Sequence, residues 1–161
     1  MPMSINRAGP SPTLLTSGGG ETLSIMGMTV AFKTTGRQTN GQFSAIEVTE
    51  PPGSGSPVTY NKVFAMANYV LEGTATLQVG DETLELGPGG YAYLPAGTVY
   101  QFRNQSAAPV KYLAISIPAG LDEYIAEAVR LVESEPSWPP ADMSKLVALR
   151  AKSHFYDPPL D

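Results

Sequence analysis

Few side chains in this chain of 161 residues could do nucleophilic, acid–base or metal chemistry. The chain contains no cysteine and a single histidine, His154. Without cysteine there can be no thiolate metal ligand, thiol nucleophile or disulfide, and one imidazole cannot build a multi-histidine metal site. No acid or nucleophile pattern surrounds His154, so we interpret it as a surface or helix-end residue.

The remaining isolated candidates have simpler structural explanations. Glu47 could act as a general base if it faced inward, but a carboxylate on a strand is more often solvated. Lys33, at a strand end, is expected to extend outward to solvent. Ser54 and Ser56 lie in a Gly/Pro-rich loop with no nucleophile-elbow pattern around them, so we assign them to turn chemistry.

Charge and length exclude several classes of partner. The formal net charge is -5, and no cluster of Lys and Arg marks a surface for nucleic acid or anionic lipid. The first twenty residues lack the apolar core of a signal peptide, and no apolar run approaches the length of a membrane span. We therefore expect one cytoplasmic domain that binds neither nucleic acid nor membrane.

The pattern of short apolar runs predicts an all-β domain. The 16 glycines and 15 prolines stand mostly between these runs, as is typical of many tight turns. A strand with a bulge or bend at Gly27 and a second strand over 41–50 come first. Gly80–Asp81 predicts a two-residue hairpin turn, because glycine adopts the positive φ that such a turn needs. The later strand candidates are 58–64, 67–71, 75–79, 82–86, 91–94, 99–103 and 110–117, a spacing that favours a sandwich or barrel.

The two ends of the chain have a different character. Residues 1–20 are rich in Gly, Pro, Ser and Thr, and we interpret them as a flexible arm that could lay Leu14 and Leu15 on another surface. After Pro118 the apolar residues recur with helical spacing, and a second helix is predicted to start at Pro140 or Asp142, after a proline-rich break. The predicted organisation is an arm over 1–20, a β-barrel over 21–118 and a helical tail over 119–161 packed on the barrel.

One spaced frame stands out in the middle of the chain. It consists of Gly53, Thr59, Asn61, Met66 and Gly73, with five residues between the first pair, one between the second, four between the third and six between the last. This spacing resembles the first motif of small single-domain cupins, G-x5-H-x-H-x4-E-x6-G.

A second frame follows at once. Gly89, Pro95, Gly97, Tyr100 and Asn104 fit the spacing of the second cupin motif, G-x5-P-x-G-x2-H-x3-N. Residues 18–118 as a whole resemble the quercetinase-like small cupins. The resemblance implies an all-β cupin barrel of the double-stranded β-helix or jelly-roll type, here with two short C-terminal helices.

The resemblance also implies where a divalent metal would sit. Cupins hold it with the two histidines and the glutamate of the first motif and the histidine of the second, and these positions are Thr59, Asn61, Met66 and Tyr100 here. A hydroxyl and an amide bind such ions weakly, a thioether suits soft Cu(I), and a phenol must first lose a proton. We therefore expect neither a metal nor another cofactor.

If side chains alternate between the two faces of each strand as they do in the family, the four positions point into the barrel. Asn68, Val70 and Phe102 then lie on the same faces. This set predicts a largely apolar pocket in which Thr59, Asn61 and Tyr100 are the catalytic or orienting groups and Met66, Asn68, Val70 and Phe102 contact the ligand. In the alternative, Thr59, Asn61 and Tyr100 hydrogen-bond one another and plug a collapsed barrel.

Two classes of function follow from a pocket of this kind. In the first, the protein is a metal-independent isomerase-like or cyclase-like enzyme that places one small molecule for a non-redox step. In the second, it binds a small molecule without chemistry; an oxygenase with a displaced metal site conflicts with the histidine count. Small cupins commonly dimerise through strands and an N-terminal arm, so the resemblance also implies a homodimer.

Overall fold

The computed structural model describes residues 10–159, and within them it has eleven strands and two helices. The strands are β1 Glu21–Ile25, β2 Met28–Thr34, β3 Ser44–Glu50, β4 Tyr60–Asn61, β5 Ala65–Glu72, β6 Ala75–Val79, β7 Glu82–Leu86, β8 Tyr91–Leu94, β9 Tyr100–Arg103, β10 Val110–Ile117 and β11 Phe155–Tyr156. The helices are α1 Leu121–Ser134 and α2 Ser144–Lys152. The predicted all-β class with two C-terminal helices is confirmed.

The strands form three antiparallel sheets. The largest has the order β1-β2-β3-β10-β5-β8, a second has the order β7-β6-β9, and β11 pairs with β4 in a third. β10 lies between β3 and β5 although it comes last of the three in the chain. Pairing strands this far apart in sequence is what wraps the chain around a single interior.

Side-chain alternation shows which face of the large sheet lines that interior. Along β10, Val110, Tyr112, Ala114 and Ser116 are buried while the residues between them are partly exposed. A strand presents alternate residues to opposite faces, so one face of β10 is core. The buried core draws on both larger sheets and on β11, and includes Val30, Ile46, Val48, Phe64, Val70, Leu77, Phe102, Val110 and Phe155.

Two hairpin turns differ in how well the sequence predicts them. At Gly80–Asp81, Val79 pairs with Glu82 and Gly80 has φ of 56°, which confirms the two-residue turn. At Met26–Gly27 the sequence pattern predicts one strand with a bulge or bend, whereas the structure has a second tight hairpin that divides the run into β1 and β2. Both Met26 and Gly27 have positive φ there, so the chain reverses instead of bending.

The strand predicted over 58–64 is wrong in extent. Only Tyr60–Asn61 is strand, with Thr59 forming an isolated bridge to Tyr100. The side-chain oxygen of Asn61 accepts hydrogen bonds of 2.9 Å from the backbone N–H groups of Val63 and Phe64, so those groups are turned away from a sheet partner. This side-chain turn is a common competitor of strand structure at asparagine.

The segments outside the barrel strands are arranged as follows. Residues 10–20 contain neither helix nor strand, and Leu14 and Leu15 are exposed; the part of the predicted arm before residue 10 lies outside the described residues. Leu121, Tyr124 and Ile125 of α1 pack against the core. Neither described helix is long and apolar enough to cross a membrane.

Candidate functional site

All seven side chains proposed from the sequence to line the interior are buried. Their exposed fractions are 3% for Thr59 and Asn61, 0% for Val70 and 6 to 9% for the other four: Met66, Asn68, Tyr100 and Phe102. Met66, Asn68 and Val70 alternate along β5 with more exposed residues, so they point to the same side of the sheet. The predicted residues lie on β4, just before it at Thr59, on β5 and on β9.

Thr59 is attached to the C-terminal part of the chain. Its hydroxyl donates a hydrogen bond of 2.8 Å to the backbone oxygen of Tyr156. The hydroxyl oxygen of Thr59 also accepts a hydrogen bond of 3.0 Å from Nη2 of Arg150. The hydroxyl is therefore fully engaged, as both donor and acceptor, by residues that follow the barrel in sequence.

Asn61 is engaged in the same way. Its side-chain nitrogen donates a hydrogen bond of 2.9 Å to the backbone oxygen of Ser153, while its oxygen accepts the two backbone N–H bonds of the turn that follows β4. The backbone of β4 also pairs with β11, with Asn61 opposite Phe155. Asn61 is therefore a structural junction between the barrel and the residues after α2.

These contacts define a C-terminal cover, formed by α2 and β11, which lies over the barrel end that carries Thr59 and Asn61. Phe155 anchors it: its ring packs edge-on against Phe64, with centroids 5.5 Å apart, and lies 4.7 Å from the ring of Tyr124. The sequence predicts α2 as a helix but gives no sign of β11, which is only two residues long. The aromatic pair at Phe155–Tyr156 is the one sequence feature that could have suggested a buried tail.

Tyr100 occupies the interior with a weak partner. Its hydroxyl donates toward the thioether of Met66, with the oxygen 3.9 Å from the sulfur, and sulfur is a poor acceptor. Burial raises the pKa of Tyr100 above its usual range, and the nearby Arg150 guanidinium acts in the opposite direction. The phenol is therefore neutral at physiological pH and serves as a hydrogen-bond donor, not as a base.

Asn68 is the second interior polar group with spare capacity. Its side-chain amide takes part in none of the hydrogen bonds between residues 10–159, although only 7% of the residue is exposed. Within the same residues no fully buried polar atom lacks a partner, so the amide atoms of Asn68 keep contact with accessible space. A buried amide that is neither bonded nor sealed borders a space that water or a ligand could fill.

The mutual hydrogen bonding expected for a plugged barrel is not found. Within the described residues no side-chain hydrogen bond joins Thr59, Asn61 and Tyr100 to one another; the first two bind the cover and the third contacts Met66. Val70 is completely buried, and Phe102 packs on Tyr112 with ring centroids 4.4 Å apart.

A buried acid that the sequence did not single out lies where β3 ends. Glu50 is 5% exposed and accepts hydrogen bonds from the hydroxyls of Tyr112, at 2.9 Å, and Ser54, at 3.3 Å. Burial raises the pKa of Glu50, and the two hydroxyl donors oppose that rise; burial and then the Glu50 charge raise the pKa of Tyr112. Glu50 also lines a cavity of about 500 Å³ beside Arg103 and the Met26 turn.

The isolated candidates weighed from the sequence lie apart from this interior. Glu47 stands between buried Ile46 and Val48 on β3 and so faces the other side of the sheet, where it is 3.9 Å from Lys33. Ser54 and Ser56 make hydrogen bonds within the loop and to β9. A further cavity, of about 690 Å³, lies beside α1, and Arg37, Glu123, Arg130 and Glu133 are among the residues that line it.

The donor set does not fit a first-row divalent metal. The four positions that would hold it carry a hydroxyl, an amide, a thioether and a neutral phenol, and the first two are already hydrogen-bonded to the cover. Among the residues that the structure describes, no three His, Cys, Asp or Glu side chains come together as a metal site would require.

Comparison with protein families gives a match over residues 46–116 to the cupin domain of the Cupin_2 type. Quercetin 2,3-dioxygenase of Bacillus subtilis (strain 168) is 29% identical over 98 residues, which are 61% of this chain but only 29% of the dioxygenase. The chain thus spans less than a third of the length of that relative.

Solved structures agree with this match. KdgF from Halomonas sp. superposes with a TM-score of 0.57 at 14% identity, over 64% of this chain and 92% of KdgF. A cupin domain from Schizosaccharomyces pombe superposes with a TM-score of 0.56 at 19% identity, over 70% and 78% of the two chains. A sugar phosphate isomerase of a cupin superfamily, from Silicibacter pomeroyi, gives 0.50 at 26% identity, over 58% and 61%.

Proposed function

We propose that this chain, whose residues 46–116 match the cupin domain of the Cupin_2 type, binds a small, largely apolar molecule inside the barrel without a metal ion. In this proposal the protein catalyses a non-redox step on that molecule, such as an isomerisation or cyclisation. The observation that carries the proposal is the pair of under-used polar groups in the interior. Asn68 makes no hydrogen bond within the described residues, and the Tyr100 hydroxyl reaches only a thioether.

These two groups are expected to position the ligand and to donate hydrogen bonds to it. A neutral phenol in a desolvated site can donate to a carbonyl or developing alkoxide oxygen, and an amide can orient the same molecule from the opposite sheet. Holding one molecule in a reactive geometry can supply a large part of the barrier to an intramolecular reaction. Thr59 and Asn61, expected from the sequence to touch the ligand, act in this proposal by holding the cover closed over it.

One of the similar solved structures supports a non-redox reaction. The Silicibacter pomeroyi protein is described as a sugar phosphate isomerase, which is a non-redox activity on the same kind of barrel. The dioxygenase is matched over under a third of its length, and the four metal positions of the present chain carry poor ligands. An oxygenase is therefore the less favoured alternative, and a binding protein without catalysis is the closer one.

Metal analysis of the purified protein tests metal independence directly. We expect well below one equivalent of Fe, Mn, Ni or Zn by inductively coupled plasma mass spectrometry. Stoichiometric metal that survives dialysis would overturn this part of the proposal.

A thermal-shift screen of small aromatic and alicyclic carbonyl compounds tests the pocket. Compounds that stabilise the wild type should lose their effect in Asn68→Ala, and Tyr93→Phe, which changes an exposed tyrosine, serves as the control.

Turnover can be measured once a compound is found that the wild type converts. Tyr100→Phe should then lower turnover about 10²- to 10⁴-fold if the hydroxyl is the donor in the reaction. If the wild type binds compounds but converts none of them, the alternative of a binding protein without catalysis is supported.

A further inference from the structure

Arg150 brings a permanent positive charge to the barrel end where the family carries its metal. Its Nη2 lies 3.0 Å from the hydroxyl of Thr59, which stands at the first of the four metal positions. Its side chain is 18% exposed, so most of the guanidinium is shielded from water. Arg150 comes from α2, outside both motifs, and the sequence offered no reason to connect it with the barrel.

The electrostatic surroundings of Arg150 agree with this location. Its charge opposes the effect of burial on the pKa of both Tyr100 and Tyr124, so the guanidinium lies within electrostatic reach of the two phenols. Its single carboxylate partner among the described residues is Asp157, at 2.9 Å from Nη1, and 72% of the Asp157 side chain is exposed. A partner this open to water neutralises the guanidinium only in part.

The guanidinium also keeps unused donors. It has five N–H groups, of which Thr59 and Asp157 take one each in the described residues. Arginine is suited to binding carboxylate and similar oxyanions because its N–H groups form a planar fork.

We infer that Arg150 takes the place of the missing metal as the cationic group of this site, and that the barrel ligand carries an anionic oxygen, either a carboxylate or an enolate formed on the molecule, which pairs with it. This inference rests on the proposed function, since it concerns the molecule bound in the same interior. It adds to the proposed function the charge of the ligand and one residue, Arg150, that binds it.

Benzoate and benzamide form a matched pair of probes for this charge. They have nearly the same size and ring, but only benzoate is anionic at pH 7. A charge-assisted hydrogen bond is worth about 1.5 to 3 kcal/mol, so we expect the wild type to bind benzoate about 10- to 100-fold more tightly than benzamide by isothermal titration calorimetry. Arg150→Gln and Arg150→Met should remove this preference and leave benzamide binding within about threefold.

Two further variants separate charge from shape. Arg150→Lys keeps the positive charge without the planar fork and should retain part of the preference for benzoate. Asp157→Asn removes the exposed counter-charge and should strengthen benzoate binding without affecting benzamide. Circular dichroism of each variant checks that the fold is intact, and Arg150→Lys and Asp157→Asn still test the inference if both neutral variants fail to fold.

Several results would overturn the inference. Equal affinity of the wild type for benzoate and benzamide would show that the pocket does not select an anion, while the proposed binding of a small molecule would stand. Equal loss of both probes in the neutral variants would show that Arg150 is only structural. If neither probe bound to the wild type, the inference would fail, and the carbonyl-compound screen would decide separately on the proposed function.

Discussion

The side-chain amide of Asn61 donates a hydrogen bond of 2.9 Å to the backbone oxygen of Ser153, 92 residues later in the chain. A position that the family uses for a metal ligand is thus used here to attach the C-terminal cover. The same side chain also shapes the turn after β4, so one residue links local backbone geometry to closure of the barrel.

Asn61→Ala should therefore be costly. It removes three hydrogen bonds and leaves the N–H groups of Val63 and Phe64, of which that of Phe64 is buried, without their acceptor. Unsatisfied buried groups of this kind cost about 1 to 3 kcal/mol each, so we expect the free energy of unfolding to fall by about 2 to 4 kcal/mol in urea titrations. Asn68→Ala is the matched control, because Asn68 is also buried but its side chain makes no hydrogen bond to residues 10–159. Equal losses in the two variants would contradict the role assigned to Asn61.

Glu50 should make the stability of the protein depend on pH. Because its pKa in the folded protein is raised above the ordinary value of 4.5, the folded state holds this proton more tightly than the unfolded state does. The stabilisation from this group is complete below the ordinary pKa and is lost as the pH rises through the raised one. Each unit by which the pKa is raised corresponds to about 1.4 kcal/mol.

Glu50→Gln tests this dependence, since the amide keeps an acceptor for Tyr112 and cannot ionise. We expect the variant to gain stability over the wild type between pH 4 and pH 8 and to differ least at the acidic end. Urea titrations at several pH values measure the difference, with exposed Glu82→Gln as the control. A difference between Glu50→Gln and the wild type that stays constant with pH would show that Glu50 titrates normally.

The last glycine of the first motif is required by close packing as well as by φ. Gly73 has φ of +76°, and a Cβ there would overlap the backbone oxygen of Pro109. Gly80 also has positive φ, but nothing lies within 4 Å of its Cβ position. Gly80→Ala should therefore cost about 1 to 2 kcal/mol from backbone strain alone.

Gly73→Ala should cost about 1 to 3 kcal/mol more than that, because the backbone of the neighbouring segment has to move. Thermal or urea unfolding of the two variants measures the comparison. Similar losses in Gly73→Ala and Gly80→Ala would mean that the segment at Pro109 yields easily, and that only φ requires the glycine.

The barrel could be predicted from the sequence because its determinants are local. Alternation along 110–117 and the glycine at position 80 each act within a few residues, and the two spaced frames supply the connection between strands. Seven interior residues follow from this parity, and all seven are buried.

The partners of those residues could not be predicted, since they depend on where a distant segment packs. The aromatic pair Phe155–Tyr156 suggests burial but not its partner, β4, and a two-residue strand is too short to give a periodic signal. The burial of Glu50 could not be predicted for another reason. A carboxylate before two prolines looks like the end of a solvated strand, and its burial depends on Tyr112, 62 residues away.

The separation between Thr59 and Arg150 has a consequence for how the protein is made. The ribosome completes β10 before it synthesises α2 and β11, so the barrel strands are available to pair while the far wall of the site does not yet exist. The cover can therefore attach to Thr59 and Asn61 only after the barrel strands that carry them have been made.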